Sequence, residues 1–207
     1  FGNVGYHIAE KLQKSGMRMV GVGDYTGYIT TNTEFNVLDL HKFSKKYPLS
    51  KYSEVKDNFI KSSNITKVTK TEFLKTPCDI VVLAAKELEV TGENAGNLNC
   101  KLVVEGANGP ISIKGDSILS EKNIPIIPDI LANSGGVQVS YYEYLQNQEK
   151  THHSYNHVTK MLKNKMYSTT ENVLETAALN NINLRDACYK ISLERIQNKF
   201  LENSEEA

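Results

Sequence analysis

The sequence predicts an α/β protein with a doubly wound, Rossmann-like parallel sheet followed by C-terminal helices. Three short apolar runs lie in the middle of the chain, at Asp79–Ala85, Lys101–Glu105 and Ile124–Ile127. Near-continuous Val/Ile/Leu runs are typical of parallel strands that are covered on both faces. A helical pattern over Ile113–Ser120 separates the second and third runs, which gives the alternation of strands and helices of this class. A glycine-rich turn, Gly2–Gly5, stands before the first helix.

The first elements follow from spacing and from turn residues. Apolar residues at helical spacing predict a helix over Val4–Ser15, and Gly16 ends it as a C-terminal cap residue would. The apolar run Met17–Gly23 predicts a buried strand. The next fifty residues are rich in Lys, Asn and Ser, and helical stripes predict helices over Val37–Tyr47 and Lys51–Lys61.

The C-terminal part predicts helices alone. Helical periodicity recurs after Pro128, and a polar break over Gln148–Asn156 interrupts it. The helices are expected over Leu131–Leu145, His157–Asn180 and Leu184–Leu201. We therefore expect one domain over residues 1–147 and further helices over residues 148–207.

Composition excludes several classes of protein. Hydrophobic residues make up 40% of the 207 residues and charged residues 23%, which is ordinary for a globular protein. Lys and Arg total 24, as do Asp and Glu, so no global field favours nucleic acid or an anionic membrane. The apolar runs are too short to span a bilayer. We expect neither a nucleic acid nor a membrane as a partner.

The cysteines and histidines predict no metal site. The three cysteines are odd in number and widely spaced, which is typical of reduced, mostly buried thiols in an intracellular protein of the cytoplasm or the mitochondrial matrix. Three histidines cluster in the polar break without a set of acidic partners, so we expect them to be solvent-exposed. These residues are Cys78, Cys100, Cys188, His152, His153 and His157.

The glycine turn at the start of the chain carries the first chemical signal. Gly2 and Gly5 match the last two glycines of G-x-G-x-x-G, and a helix opens directly after them. The free N–H groups and the dipole of such a helix bind a pyrophosphate. Asp24 ends the next strand and is able to accept hydrogen bonds from ribose hydroxyls. Alternatively, the glycines only allow close helix–strand packing, and Asp24 is a solvated turn residue.

Two further motifs follow predicted strands at the edge where ligands of open α/β sheets bind. In Glu105–Pro110, small residues let the backbone approach a planar ring, and Asn108 offers a donor and an acceptor for a carboxamide. The alternative is a Gly/Pro turn with Asn108 in the left-handed conformation. In Pro128–Val137, two glycines suit close approach to a ligand, and Val137 and Ser140 share a helix face. The alternative here is an ordinary glycine-rich helix start.

Taken together, these motifs resemble the coenzyme-binding domain of glutamate dehydrogenases. The resemblance is carried by FGNVG, DIVVLAA, VVEGANGP and IPDILANSGGVQVSYYEYLQN, and it covers nearly the whole chain. The closing segment NLRDA, at Asn183–Ala187, is similar as well. The resemblance implies that residues 1–147 are a dinucleotide-binding domain without its first strand and that the helices of residues 148–207 pack back on it. The leucine, valine and phenylalanine dehydrogenases share the fold but lack the SY-Φ-E run after GGV. The chain departs from the family pattern at Leu83, where proline is usual, and at Lys86.

The resemblance implies a role for each matching residue. By this resemblance, the pyrophosphate is bound by Gly2, Asn3 and Val4, and the adenosine ribose by Asp24. The adenosine is bordered by Ala84 and Ala85, and the nicotinamide and its ribose lie near Asn108 and Asn133. The substrate is contacted by Val137 and Ser140. Ser140 is expected to hydrogen-bond the distal carboxylate of glutamate. Either NAD or NADP fits, because family members of both preferences carry an acid at the position of Asp24.

The resemblance also implies an activity for the full-length enzyme. That activity is the reversible, NAD(P)-dependent oxidative deamination of L-glutamate to 2-oxoglutarate and ammonia, by an enzyme that tends to form hexamers. The catalytic residues of the family lie in an N-terminal domain, so we expect no catalytic residue in this chain and no activity from it alone. Two alternatives remain, which are a non-catalytic nucleotide-binding module and a dehydrogenase for another amino acid.

Overall fold

A computed structural model of the chain describes residues 1–52, 54 and 64–205. They form two compact units, Phe1–Pro125 and Ile126–Ala207. The division after residue 147 that we expect from the sequence stays a prediction. The predicted helix over Lys51–Lys61 lies almost entirely outside the described residues.

The first unit begins with helix α1, Asn3–Lys14, which confirms the predicted first helix. Gly16 follows it with a φ of +86°, a left-handed conformation that suits glycine and ends the helix. Helix α2, Val37–Ser44, is tied to α1 by the Gln13 side chain. Gln13 Nε2 donates to the carbonyl oxygen of Phe35 at 2.8 Å, and its Oε1 accepts from the Val37 N–H at 3.0 Å.

The first unit also contains an antiparallel three-stranded sheet. Its strands are β1, Gly21–Asp24, β2, Gly27–Thr31, and β3, Ile65–Val68, in that spatial order. The β1–β2 pair is a hairpin with Asp24 opposite Gly27. The sequence predicted a longer strand before Asp24 and neither β2 nor β3. The pairing of β2 with β3 joins residues that are remote in sequence, and the Thr-rich β2 lacks the apolar run by which strands were recognised.

The core beside this sheet is rich in aromatic residues. Ile29, Leu40, Phe43 and Leu49 are fully buried, and the Phe43 and Tyr52 rings meet edge to face with centroids 4.8 Å apart. Such burial stabilises the fold by about 2 kcal/mol for each large apolar side chain. The core therefore anchors the base of the β1–β2 hairpin.

The parallel part of the first unit confirms the predicted α/β class. Strands β4, Ile80–Leu83, and β5, Leu102–Glu105, pair in parallel with Ile80 opposite Leu102. Helix α3, Lys70–Lys75, precedes β4, and helix α4, Ile113–Glu121, follows β5. Each strand is shorter than its predicted run because the ends of those runs turn into loops.

The second unit contains strand β6, Ile126–Ile127, and four helices. The helices are α5, Asp129–Ala132, α6, Ser134–Glu149, α7, Tyr155–Asn180, and α8, Leu184–Glu205. The helix predicted over Leu131–Leu145 is therefore two helices that meet at Asn133, and the last helix runs beyond its predicted end. Helix α7 packs against α6 and α8, and an Arg185–Asp129 ion pair of 3.4 Å links α8 to α5.

Among the helices within the described residues, none has both the length and the apolar run that crossing a bilayer requires.

Candidate functional site

The start of α1 presents backbone N–H groups without a side-chain cap. Gly2 is the N-cap residue, no side chain caps the helix there, and its first turn contains no acidic residue. A Cβ added at Gly2 or at Gly5 would meet no described atom within 4 Å. Within the described part of the chain, therefore, no neighbour packs closely enough to account for these glycines. Uncapped N–H groups beside open space suit a bound anion.

An aromatic stack fixes α1 against α2. The Tyr6 ring lies parallel to the His41 ring, with centroids 3.6 Å apart and 12° between the planes. Burial lowers the pKa of His41, and the charges of Lys45 and His7 lower it further. A neutral imidazole suits this contact, because a protonated ring would carry a charge into a partly buried position.

Asp24 ends β1 in a tightly bonded turn. Its Oδ1 accepts from the Thr26 N–H at 2.7 Å and from the Thr26 hydroxyl at 2.6 Å. The Thr26 hydroxyl oxygen also accepts from the Ser50 N–H at 3.2 Å. The Phe1 nitrogen lies 3.0 Å from the Gly23 carbonyl oxygen, which brings the start of α1 to the end of β1. The Asp24 carboxylate is therefore held in place by its own turn, an arrangement that fits both a ribose acceptor and a turn residue.

Two loops follow the carboxyl ends of β4 and β5, and we call residues 84–90 and 106–110 the loop pair. The Leu83 carbonyl oxygen accepts from the Gly106 N–H at 2.9 Å and from the Ala107 N–H at 2.8 Å. Further along, the Leu88 N–H donates to Gly109 O and the Val90 N–H donates to Pro110 O, both at 2.9 Å. The two loops are thus bonded to each other along their length.

Gly106 is the point where α1 meets the loop pair. A Cβ added there would lie 3.2 Å from Ile8 Cδ1, 3.3 Å from Ala84 Cβ and 3.6 Å from Leu83 O. Only glycine fits this position without moving a neighbour. The structure therefore brings together α1, the start of the first loop and the start of the second loop.

Within the loop pair, the predicted residues lie at the surface. Asn108 and Ala85 are exposed, and Ala84 is half-buried. The left-handed residue of the second loop is Gly109, with a φ of +52°, so a left-handed Asn108 is wrong, while the Gly/Pro turn of that alternative is not contradicted. Leu83, the departure from the family pattern, is 6% exposed and leaves the turn intact through its carbonyl group. Lys86 is exposed.

The remaining predicted residues belong to the second unit. Asn133 lies at the junction of α5 and α6. Val137 is 76% exposed and Ser140 is also exposed, and both lie on α6 three residues apart. The Ser140 hydroxyl donates to the Gly136 carbonyl oxygen at 3.3 Å. This hydroxyl must rotate away from its own helix before it can donate to a ligand.

Sequence reasoning assigned no role to two residues beside these positions. Glu105 is a fully buried carboxylate at the carboxyl end of β5, directly before Gly106. The sequence does contain a signal for this residue, because an acidic side chain at the end of an apolar strand is unusual. Tyr25 is 99% exposed and follows Asp24 in the hairpin turn. No pattern in the sequence distinguishes this tyrosine from the others.

The thiols and histidines partly correct the expectations. Cys188 is buried, but Cys78 and Cys100 are only partly buried, because they lie where β4 and β5 begin at the surface. His152 and His157 are exposed and His153 is half-buried. In residues 1–52, 54 and 64–205, no group of three or more His, Cys, Asp or Glu side chains is placed to hold a metal ion.

The arrangement in the first unit fits a dinucleotide. The uncapped N–H groups of α1 suit a pyrophosphate, and the Asp24 carboxylate suits a ribose diol. The space that a Cβ at Gly2 or Gly5 would enter is open, so a ligand is able to approach the backbone there. The loop pair offers small residues and the exposed amide of Asn108, which suit the approach of a planar ring with a carboxamide.

The chain is similar to known dehydrogenases along most of its length. The family model described as Glutamate/Leucine/Phenylalanine/Valine dehydrogenase matches residues 1–203. A cryptic catabolic NAD-specific glutamate dehydrogenase of Bacillus subtilis is 34% identical over 201 residues, covering 95% of this chain and 44% of that protein. An NAD-specific glutamate dehydrogenase of Peptoniphilus asaccharolyticus is 34% identical over 203 residues, covering 95% of this chain and 46% of that protein.

A solved structure supports the same conclusion. Plasmodium falciparum glutamate dehydrogenase 2 superposes with a TM-score of 0.81 at 28% identity, covering 98% of this chain and 45% of that one. The chain thus spans less than half the length of the relatives that it matches. Because the family model matches nearly all of its residues, the chain belongs to the glutamate/leucine/phenylalanine/valine dehydrogenase family.

Proposed function

We propose that this chain is the coenzyme-binding part of an NAD(P)-dependent glutamate dehydrogenase. The reaction is the reversible oxidative deamination of L-glutamate to 2-oxoglutarate and ammonia. The observation that carries the proposal is the start of α1, which is uncapped and opened by two glycines, next to the Asp24 carboxylate. Its family supports the choice of reaction, since the relatives compared above are named glutamate dehydrogenases.

The residues of this chain bind and orient in the proposed reaction. Gly2, Asn3 and Val4 hold the pyrophosphate through their backbone, and Asp24 accepts from the adenosine ribose. Ala84 and Ala85 border the adenosine, and Asn108 and Asn133 lie near the nicotinamide and its ribose. When bound, the coenzyme supplies the acceptor for the Cα hydride of the amino acid.

The substrate contacts come from α6. Val137 contacts the substrate, and the Ser140 hydroxyl turns from the Gly136 carbonyl oxygen to donate to the distal carboxylate of glutamate. These contacts orient the substrate against the coenzyme, which is a proximity contribution to the rate.

Acid–base chemistry is assigned to no residue of this chain in the proposal. The relatives are more than twice as long as their matched segment, and we propose that an enzyme of this kind supplies its proton-transfer groups and much of its hexameric assembly from that other part. The 207-residue chain alone is therefore expected to give no measurable glutamate oxidation. Robust turnover by the purified chain would contradict this assignment.

Coenzyme binding is tested by titrating the chain with NADH and following its fluorescence. Gly5→Ala places a methyl group in the open space at the start of α1. The variant is expected to keep or gain stability, by up to about 1 kcal/mol, because alanine favours a helix. Its affinity for NADH is expected to fall about tenfold or more, or about 1.4 kcal/mol, because the methyl group lies where the ligand approaches.

Gly96→Ala is the matched control, since a Cβ there also meets no described atom within 4 Å and Gly96 lies at the amino ends of the strands. Its affinity for NADH should equal that of the unchanged chain. Loss of stability in Gly5→Ala, with unchanged affinity, would instead support the packing explanation and refute the proposed coenzyme site.

Substrate choice is tested separately in a full-length enzyme that carries this segment. Ser140→Ala should raise the KM for glutamate by about tenfold or more, because a charge-assisted hydrogen bond is lost, and should leave an apolar amino acid unaffected. Equal effects on both substrates would favour a dehydrogenase for another amino acid. The chain would instead be a non-catalytic nucleotide-binding module if it bound the coenzyme and no additional segment restored turnover.

A further inference from the structure

Two cysteines lie side by side at the amino ends of the parallel strands, away from the candidate coenzyme site. Cys78 and Cys100 each stand two residues before the first registered pair of β4 and β5, which is Ile80 and Leu102. Both side chains are partly exposed, and both cysteines are free.

Backbone hydrogen bonds also join the two segments that lead into these strands. The Cys78 N–H donates to Asn99 O at 3.1 Å, and the Lys101 N–H donates to Asp79 O at 3.0 Å. Between the cysteines and the strands, the Asp79 and Lys101 side chains form an ion pair of 2.7 Å, so the two segments stay adjacent there. The Cys78 Sγ lies 3.9 Å from the carbonyl oxygen of Asn99, the residue directly before Cys100, so the two cysteines are neighbours.

These hydrogen bonds limit the separation of the two cysteines. Backbone segments joined side by side by N–H···O bonds lie about 4.8 Å apart. Disulfides form between Cα atoms that are about 4.4–6.8 Å apart. The spacing of the two segments is therefore within the range that a disulfide bridges.

A surface cavity gives a reagent access to this position. It has a volume of about 540 Å³, and Cys100, Lys75 and Lys122 are among the residues that line it. The Lys122 ammonium group donates to the carbonyl oxygens of Gly96 and Leu98 at 2.8 and 2.6 Å, which fixes a positive charge beside the cavity.

We infer that Cys78 and Cys100 form a dithiol modification site, at which a small disulfide reagent or metabolite is reduced while the two cysteines close into an intramolecular disulfide. This site is separate from the proposed coenzyme site, because it lies at the amino ends of β4 and β5 and the loop pair lies at their carboxyl ends.

The environments of the two thiols assign different roles to them. Burial raises the pKa of Cys78 to about 11, and the neighbouring Cys100 and Asp79 add to this effect. Burial also raises the pKa of Cys100, but the Leu102 N–H and the Lys122 charge oppose the rise. Cys100 also lines the cavity through which a reagent arrives, so we assign the first attack to Cys100 and closure of the bond to Cys78.

The reaction balances as a thiol–disulfide exchange. Cys100 loses its proton to solvent, and its thiolate attacks one sulfur of the reagent, whose other sulfur leaves as a thiolate and takes up a proton. Cys78 then loses its proton and attacks Sγ of Cys100, which expels the second reagent thiol. Two protein thiols are oxidised to one disulfide, and one reagent disulfide is reduced to two thiols.

The test uses the native chain and 2-hydroxyethyl disulfide, followed by acid quenching, thiol counting in denaturant and peptide mapping. We expect free thiols to fall from three to one, with the peptides of Cys78 and Cys100 joined. Cys188→Ser is the matched control and should form the same link. Cys78→Ser should instead stop at a stable reagent adduct on Cys100.

Other products would overturn the inference. Retention of all three thiols, reagent adducts on separate cysteines of the unchanged chain, or disulfides between two chains would each show that Cys78 and Cys100 do not form a dithiol site.

Discussion

Replacing Gly106 by alanine tests the contact that joins α1 to the loop pair. The added Cβ would lie 3.2 Å from Ile8 Cδ1 and 3.3 Å from Ala84 Cβ, both tighter than ordinary carbon contacts, and 3.6 Å from Leu83 O. Ile8 Cδ1 is the end of a flexible side chain, but Ala84 Cβ is fixed to the backbone. The strain is therefore relieved only in part by rotation of Ile8.

Two opposing effects set the expected magnitude. Overpacking a tight position costs about 1–3 kcal/mol. Alanine also restricts the unfolded chain, which stabilises the fold by about 0.4–1 kcal/mol. The difference is a loss of about 1–2 kcal/mol in the free energy of unfolding.

Urea unfolding of the chain measures this loss, with Gly96→Ala as the control that should be neutral or slightly stabilising. Ile8→Val removes the Cδ1 atom that the new methyl group meets. In that background, Gly106→Ala should cost less, by about 0.5–1 kcal/mol, which a double-mutant cycle reports. A Gly106→Ala variant as stable as Gly96→Ala, with no coupling to Ile8, would refute the contact.

Three further predictions concern Asp24, Glu72 and Leu88. Asp24→Asn keeps the turn through its amide oxygen but should weaken NADH binding about tenfold, because a charged acceptor is replaced by a neutral one. Equal NADH titration curves for the variant and the unchanged chain would contradict this. Hydrogen bonds from the Thr69 N–H and hydroxyl to the Glu72 carboxylate, each 2.8 Å, lower the pKa of Glu72 below its ordinary 4.5. Because the folded pKa is the lower one, this contribution to stability is present above about pH 4.5 and is lost as the pH falls through the folded pKa. Unfolding measured from pH 6 to pH 3 should therefore depend less on pH in Glu72→Gln, and parallel curves would contradict the reasoning. Leu88 has a φ of +52°, so Leu88→Gly should be tolerated, whereas the β-branched Leu88→Val should be destabilising by about 1 kcal/mol or more in urea unfolding, an order that a strain-free Leu88 would not give.

Local signals were sufficient to predict several helices and two parallel strands, but not α3 or the division between α5 and α6. The spacing of apolar residues predicted α1, α7 and α8, and Gly16 ends α1 in the left-handed conformation that its position suggested. The apolar runs predicted β4 and β5 because strands covered on both faces need no alternation.

The antiparallel sheet could not be predicted in the same way. Pairing between Tyr28 of β2 and Val68 of β3 joins residues forty positions apart, and the intervening sequence gives no sign of that register. Gly23 is explained by the β1–β2 hairpin, in which it lies opposite Tyr28, since a Cβ there would collide with the Tyr28 ring. Long-range pairing thus decided what the local pattern left open.

The candidate site was predictable as a set of motifs but not as a set of bonds. Glycines and an acid suggested a nucleotide, yet the engagement of Asp24 with Thr26 and the donation from Ser140 to Gly136 depend on side-chain geometry. Residue type alone does not report which hydrogen bonds a side chain has already made.

The bonds between the two loops have a consequence for motion. Because Leu88 and Val90 donate to Gly109 and Pro110, neither loop can open without breaking hydrogen bonds of the other. Local unfolding here should occur as one cooperative event, in which the Leu88 and Val90 amides exchange with solvent at a common rate. The loop pair is therefore already ordered before a ligand arrives, because folding has fixed its conformation. Binding there costs little further conformational entropy.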